Sequence, residues 1–530
     1  MGAYTIGIGG TGARCLESLV HLCAAGLGPD KLFVLIIDPD NANGNVGRLR
    51  DVIAKYNNCR KKLNCTQSSP IFKTEIEYSR EEHTDYLSWS PIEDEKNLRK
   101  YFNYDTLISK DPESKEKLLG DFATLLYSEG ELNLDLSQGF RARCSVGAPV
   151  MARIKDNFND NPQRPWSELI TRIRTDLTNA DARLFVFASL FGGTGASGFP
   201  TVAKILRDES LHTGKRAWQN PEKFFLGGAP LLPYFAFEVQ QTTDRNDIFA
   251  TPQNFVVNTK AALQHYSLIW RDSSPYDVIY YIGDQEFESI GKFSPGGKNQ
   301  INYAHYVEFL SALSALDFFT RNLNPEITKK EMLQYFAGRT KEKTIYWDDF
   351  PKKELKKKLL AFTSFAFSFR CFYYQLLRDE DIDLRRFLVP WYADHFKSDE
   401  LTSNEAKEPQ DNLSEYLKTY LEWLFQIHSC KAREIRLLNP AAFEASREAD
   451  FQELDDELFK TLQFKKDDDD KCKYESKYKY GYDNLWEKLC SAKPSSIIKS
   501  SSGRFADLLY AACYKFCLKN YNIKDEKERL

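Results

Sequence analysis

The strongest constraint on this chain is a pair of glycine-rich turns, Gly7-Ile-Gly-Gly-Thr-Gly12 and Phe191-Gly-Gly-Thr-Gly-Ala-Ser-Gly198, each set between an apolar run and a helix-forming stretch. A glycine run at such a junction lets backbone N–H groups approach an anion closely, and the positive end of the helix dipole adds to the attraction. A phosphate chain held from two sides satisfies both turns. The first turn follows an apolar run at residues 3–8 and opens a helix whose Leu16, Leu19, Val20 and Cys23 share a face. The second follows the run at 183–189, with Pro200 expected in the first turn of its helix.

A second continuous apolar run, residues 31–37, ends in Asp38-Pro-Asp40; such runs belong to sheets covered on both faces. Residues 51–138 are polar, with charge clusters at 80–83 and 93–100, and read as an insertion on the sheet. The stretch 139–147 is a glycine-containing loop carrying Arg141 and Arg143. After the second turn come strand-like runs at 224–226 and 231–237, a helix over 252–270 and a strand at 276–283. This alternation specifies an α/β class, a doubly wound, mainly parallel sheet with helices on both faces. Beyond it, residues 304–321, 352–379, 411–430, 450–463 and 502–519 carry helical spacing, so a largely α-helical C-terminal region is expected. Residues 465–483, with four consecutive aspartates, read as a mobile surface loop.

Composition sets the class of partner. With 530 residues, 42% of them hydrophobic, the chain can bury a sizeable core in two or three packing units. The net charge of −4, from 72 basic and 76 acidic residues, gives no global electrostatic case for nucleic acid or an anionic membrane. Eleven cysteines occur without a CxxC pair, and Cys15 and Cys23 fall on apolar helical patterns, as reduced core thiols do. No apolar stretch nears the ~20 residues of a membrane span, and residue 3 already opens a strand, so cytoplasmic residence without a membrane is expected. Ile6 stands where a myristoylation signal needs Ser or Thr.

Taken together, these motifs resemble the tubulin/FtsZ superfamily, and within it the divergent bacterial tubulin-like branch. Gly192-Gly-Thr-Gly-Ala-Ser-Gly198 is similar to the family's signature loop, with Phe191 in place of its first glycine. Gly7–Gly12 resembles the first phosphate loop, residues 36–40 fall where the second strand ends in an Asn/Asp pair, and residues 139–147 fall where a third loop reaches the γ-phosphate. Residues 231–237 match the strand after the signature helix, and Asn258 resembles the polar residue of the central helix that holds the guanine base. The resemblance covers about residues 1–325. It implies a nucleotide-binding domain over 1–250, a central helix, strand and interface segment over 251–325, and a helical domain over 326–530.

The resemblance further implies GTP or GDP with Mg2+, and head-to-tail assembly of the chain with itself, a heterologous contact that makes an open filament. Gly9, Gly10, Thr11, Gly12 and Arg14 would face the α- and β-phosphates, with Gly192, Gly193, Thr194, Gly195, Ala196 and Ser197 opposite. Arg141 and Arg143 would meet the γ-phosphate, and Asp38 or Asp40 the Mg2+ or ribose. The family's hydrolytic loop carries an Asn and two carboxylates inserted into the neighbour's site. Its nearest match is Asn302-Tyr-Ala-His-Tyr-Val-Glu308, where Ala304 and Val307 replace the acids and Glu308 lies one residue late. One residue on a helix turns a side chain by about 100°, so weak or partner-dependent hydrolysis is expected.

Other readings remain open at this point. A non-polymerising nucleotide sensor or scaffold could use the same cradle and act on a protein partner through its C-terminal helices, within a multi-protein bacterial system. A dinucleotide enzyme could use the first turn with Asp38 on a ribose, although the second turn then has no role. Each glycine turn could also be purely structural, Asp38-Pro-Asp40 a strand end, the arginines surface ion pairs, Asn258 a solvated helix residue and His305 packing.

Overall fold

The computed structural model describes residues 1–92, 96–158, 162–212, 217–238, 252–292, 296–324, 332–337, 344–346, 353–378, 390–397, 399–430, 434–436, 482–493 and 498–520. The main sheet is built from β1 (Gly2–Ile8), β2 (Lys31–Ile37), β3 (Glu75–Glu77), β4 (Ser88–Trp89), β5 (Ala182–Ser189), β6 (Phe224–Leu231), β7 (Val278–Ile282) and β8 (Leu333–Ala337). Its order is β8-β7-β6-β5-β1-β2-β3, with β4 pairing β2 beyond the β3 contact, and every pairing is parallel. Parallel neighbours need crossovers. These are α1 (Gly9–Ala24), α2 (Gly44–Lys62), α3 (Cys144–Met151), α4 (Trp166–Asn179), α5 (Gly193–Arg207), α6 (Pro252–Ile269) and α7 (Tyr306–Thr320). The α/β class expected from the sequence is the one observed.

Period-two alternation divides the strands between two cores. Leu32, Val34, Ile36, Phe185 and Phe187 face the layer of α1, α2 and α7, whereas Phe33, Leu35, Ile37, Leu184 and Val186 face α3, α4 and α5. The first core continues into α8 (Lys353–Ser368), α9 (Asn404–His428) and α10 (Ser501–Asn520), three of the described helices of the C-terminal region. There the Trp423 indole N–H donates to Ser18 at 3.1 Å and His21 meets the Tyr416 hydroxyl at 3.0 Å, tying α9 to α1. Phe365 and Phe369 are fully buried in that core.

Several elements differ from the sequence reading. The stretch 51–138 contributes β3 and β4 to the sheet and extends α2 to Lys62, so it is not wholly an insertion. The strand after the signature helix is Phe224–Leu231 rather than 231–237; past Pro233, which has no N–H to donate, Phe235–Glu238 pairs with Glu288–Lys292 in a separate small sheet. The main sheet reaches beyond residue 325, because β8 adds a further edge. Pro200 lies within α5, not in its first turn. The expected helix at 450–463 and loop at 465–483 fall outside the described residues.

Two glycines fix how α1 and α5 sit on the sheet. A Cβ on Gly12 would stand 2.6 Å from the Gly7 carbonyl carbon and 3.0 Å from Phe187 O, and one on Gly195 would stand 2.3 Å from Ser189 O. These obstacles are backbone and cannot rotate away. Gly12→Ala should therefore destabilise the fold at or above the upper end of the about 1–3 kcal/mol typical of overpacking, seen as a lower urea midpoint at unchanged slope.

Candidate functional site

β1 and β5 are adjacent, so both glycine turns leave the same edge of the sheet side by side. A Cβ placed on Gly9 would lie 3.5 Å from the Thr194 Cβ, the distance of ordinary contact between the turns. Gly9 has φ +71°, a conformation open to glycine at little cost. The caps of α1 and α5 are Ile8 and Gly192, and neither gives a side-chain hydrogen bond to its helix. The first-turn N–H groups of two long helices, which have no intrahelical acceptor, thus converge on one cavity.

That cavity has a volume of about 170 Å3. It is lined by Gly9, Gly10, Thr11, Arg14, Asp38, Asp40, Arg141, Gly192, Gly193, Thr194, Gly195 and Asn302 among the residues expected from sequence. The third loop completes it. Gly139, Arg141 and Ala142 adopt φ of +85°, +45° and +60°, and the loop presses on the second turn so closely that a Gly193 Cβ would meet Phe140 Cβ at 2.8 Å.

Other expected residues stand behind the lining. Ser197 Oγ donates to Gly193 O at 2.8 Å, Ala196 O accepts from the Tyr266 hydroxyl at 2.7 Å, and Gly12 supplies helix packing. Arg143 pairs with Glu131 at 3.2 Å. Asn258, expected on the base, instead donates to Ala142 O at 3.0 Å and braces the third loop, because α6 packs beside α5 outside the lining.

Glu308 needs a correction. Its side chain is wholly buried, with Oε1 accepting from Arg14 Nε at 2.5 Å and from the Tyr234 hydroxyl at 2.5 Å, while Oε2 accepts from His305 N at 3.0 Å. It completes a capping box at the start of α7 and compensates a buried guanidinium. A carboxylate so enclosed cannot be presented to a neighbouring subunit. Asn302 is likewise turned inward, onto the rim of its own chain's cavity. His305 is packed against Tyr234 with ring centroids 4.8 Å apart, and burial, with Arg14 nearby, lowers it to about 3, so it is an enclosed and weak base, unsuited to general-base work.

The acidic end is equally committed. Asp38 accepts from Asp40 N at 3.1 Å and Asn43 Nδ2 at 3.0 Å; Asp40 accepts from Ala42 N at 3.0 Å and Gly297 N at 2.6 Å. Burial, with the Asp40 carboxylate adding to it, pushes Asp38 up to about 7. Among the described residues no group of three or more His, Cys, Asp or Glu is arranged to hold a metal ion. Every carboxylate oxygen of this pair already takes a protein donor, so as arranged the pair does not fit the role of Mg2+ ligand.

Sequence reasoning missed Asn43, Asn45, Gln138 and Gln300, and an aromatic wall of Phe191, Phe235, Phe237 and Phe255. The Asn43-Gly-Asn45 step after Asp40 was the available signal, since Asn43 caps α2 by accepting from Asn45 N at 3.0 Å. A second hollow of about 880 Å3, lined by apolar side chains such as Val256, Leu263, Tyr281 and Phe336, carries none of the expected residues.

Among solved structures the chain is similar to CetZ2 from Haloferax volcanii in a GTPγS-bound protofilament, at 14% identity and a TM-score of 0.27 over 60% of this chain and 59% of that one. It is also similar to CetZ from Methanosaeta thermophila, at 12% identity and a TM-score of 0.25 over 61% of this chain and 57% of that one. The match thus spans less than two thirds of either neighbour's length. No protein-family model and no curated protein matches the chain. No helix among the described residues is long and apolar enough to cross a membrane.

Two measurements check this site. Glu308→Gln leaves the Arg14 charge buried without its counter-charge and should cost about 3–5 kcal/mol in equilibrium denaturation. Asp38 binds its proton more tightly folded than unfolded, so it lowers stability as pH rises from about 4 to about 7. Asp38→Asn should remove that slope, so that its stability relative to the parent rises with pH between about 4 and about 7; parallel pH profiles for the two proteins would contradict the assignment.

Proposed function

We propose that this chain binds a nucleoside triphosphate or diphosphate, guanine being the base implied by the tubulin/FtsZ resemblance, with its phosphates between the two glycine turns. The observation that carries the reading is the close approach of the Gly9 and Thr194 turns at the head of two adjacent strands, where two helix N-termini without side-chain caps meet. Anions bind at helix N-termini through free N–H groups and the dipole together. Gly9, Gly10 and Thr11 would donate from one side, Gly192, Gly193 and Thr194 from the other, and Arg141 would approach from the third loop. Arg14, held by Glu308 and Tyr234, orients the base of α1 and is not a free phosphate ligand. A ribose-binding dinucleotide enzyme leaves the second turn and the third loop without a purpose.

Hydrolysis is expected to be weak or to depend on a partner, because Glu308 is enclosed and Val307 and Ala304 bring no carboxylate. Head-to-tail assembly into filaments follows from the resemblance and is the leading reading, and the sequence pattern adds the expectation of a cytoplasmic location without a membrane. The second reading, a nucleotide sensor or scaffold acting through its helical region, has its own support. Ala304 N donates to Gln426 Oε1 of α9 at 2.9 Å, so the segment at the cavity rim is bonded directly to the C-terminal helices.

Mass spectrometry of nucleotide released from the purified protein should find GDP or GTP. Gly192→Asp supplies a good helix cap at the expense of a shift of Ser189 Oγ, 2.9 Å from the added Cβ, sets a negative charge against the phosphates, and should weaken GTP binding by more than about tenfold. Pelleting that depends on GTP and is lost in this variant supports the assembling protein. A protein that binds GTP but stays small supports the sensor.

A further inference from the structure

Residues 296–303 form a strap across the N-terminus of α2. Gly297 N donates to Asp40 Oδ2 at 2.6 Å, Gly44 N to Gly297 O at 3.1 Å, Asn43 Nδ2 to Gln300 Oε1 at 3.1 Å, Asn302 N to Asn45 Oδ1 at 3.0 Å, and Arg48 Nη1 to Asn302 O at 2.7 Å. All five latches are polar. The strap's large apolar side chains, Ile301 and Tyr303, are 56% and 77% exposed, so little apolar burial holds it down. It begins at Gly296 and Gly297, with φ of +142° and +75°, backbone states that favour glycine and suit a hinge. It ends at Ala304, bonded to Gln426 of α9.

Three facts bear on what the strap does. It covers Asp40, which is 4% exposed and engaged at both oxygens. Its Gln300 and Asn302 line the cavity. The cavity's 170 Å3 is below the roughly 300–1,000 Å3 of sites that enclose a whole small molecule. Room for phosphates exists between the glycine turns, and displacing one wall would enlarge the cavity for the rest of a nucleotide. The glycine turns are fixed by backbone packing at Gly12 and Gly195, whereas the strap is held mainly by hydrogen bonds, with Ile301 only partly covered. Segments with few buried apolar contacts open at low free energy.

We propose that the strap is a lid latched on Asp40, Asn43 and Asn45, that seating a nucleotide unlatches it, and that its release is passed to α9 through Ala304 and Gln426. The inference rests on the nucleotide-binding reading and adds to it the moving part and the path to the helical region.

The test is hydrogen exchange by mass spectrometry on the full chain, with and without GTPγS and Mg2+, alongside equilibrium dialysis that measures GTPγS binding separately. Binding should speed exchange across residues 296–303 by about tenfold or more and alter protection at the Gln426 end of α9. Gly44→Ala supplies an independent arm, because its Cβ would stand 2.5 Å from both Lys298 O and Ile301 Cγ1 and so force the strap off its seat. It should show fast strap exchange without nucleotide, and faster nucleotide association. Gln426→Leu should keep the strap response and lose the one in α9. GTPγS binding with unchanged or slower strap exchange would overturn the lid and leave the nucleotide reading standing. No binding by dialysis would remove the nucleotide reading, and the lid with it.

Discussion

The rest of this structure depends on how closely two strand-to-helix turns can approach each other at the head of β1 and β5. Parallel neighbours about 4.8 Å apart deliver their following helices to the same place, and only residues without a Cβ let both helices start there. Gly12 against Gly7 and Gly195 against Ser189 meet that demand with backbone on backbone, and Gly193 meets it against the third loop. Packing thus explains several of the glycines, and the helix ends it brings together create the anion site. Structure and binding are two consequences of one constraint.

The buried Arg14, Glu308 and Tyr234 group is the second point of control. It joins α1, the start of α7 and the segment after β6 at one place, and each member satisfies the others. The ordinary cost of burying a charge is met by pairing and hydrogen bonds together. The group fixes the rim segment at its inner end while the strap before it stays polar and lightly held. A rigid anchor beside a weakly latched cover lets one end of the cavity move without disturbing the glycine turns.

Much of this was legible in the sequence because it is local. The glycine turns, the continuous apolar strands, the Asp38-Pro-Asp40 strand end and the arginine loop all come from patterns within a few residues, and the structure gathers most of them at one cavity. What sequence did not show depends on distant pairings. The three residues of β3 and two of β4 are too short to carry a period, and β8 is recognisable as part of the main sheet only through its pairing with β7. Asn258 could not be placed without knowing that α6 packs beside α5. Glu308 looked like a displaced catalytic acid because its partner Arg14 lies 294 residues away.

The most direct test of the central claim is to titrate the isotope-labelled protein with inorganic tripolyphosphate and follow the backbone amides of both glycine segments. The account predicts that Gly10 and Thr11 in the first segment and Gly193 and Thr194 in the second shift together, with a single dissociation constant. Movement of only one segment, or of neither at millimolar ligand, would contradict it.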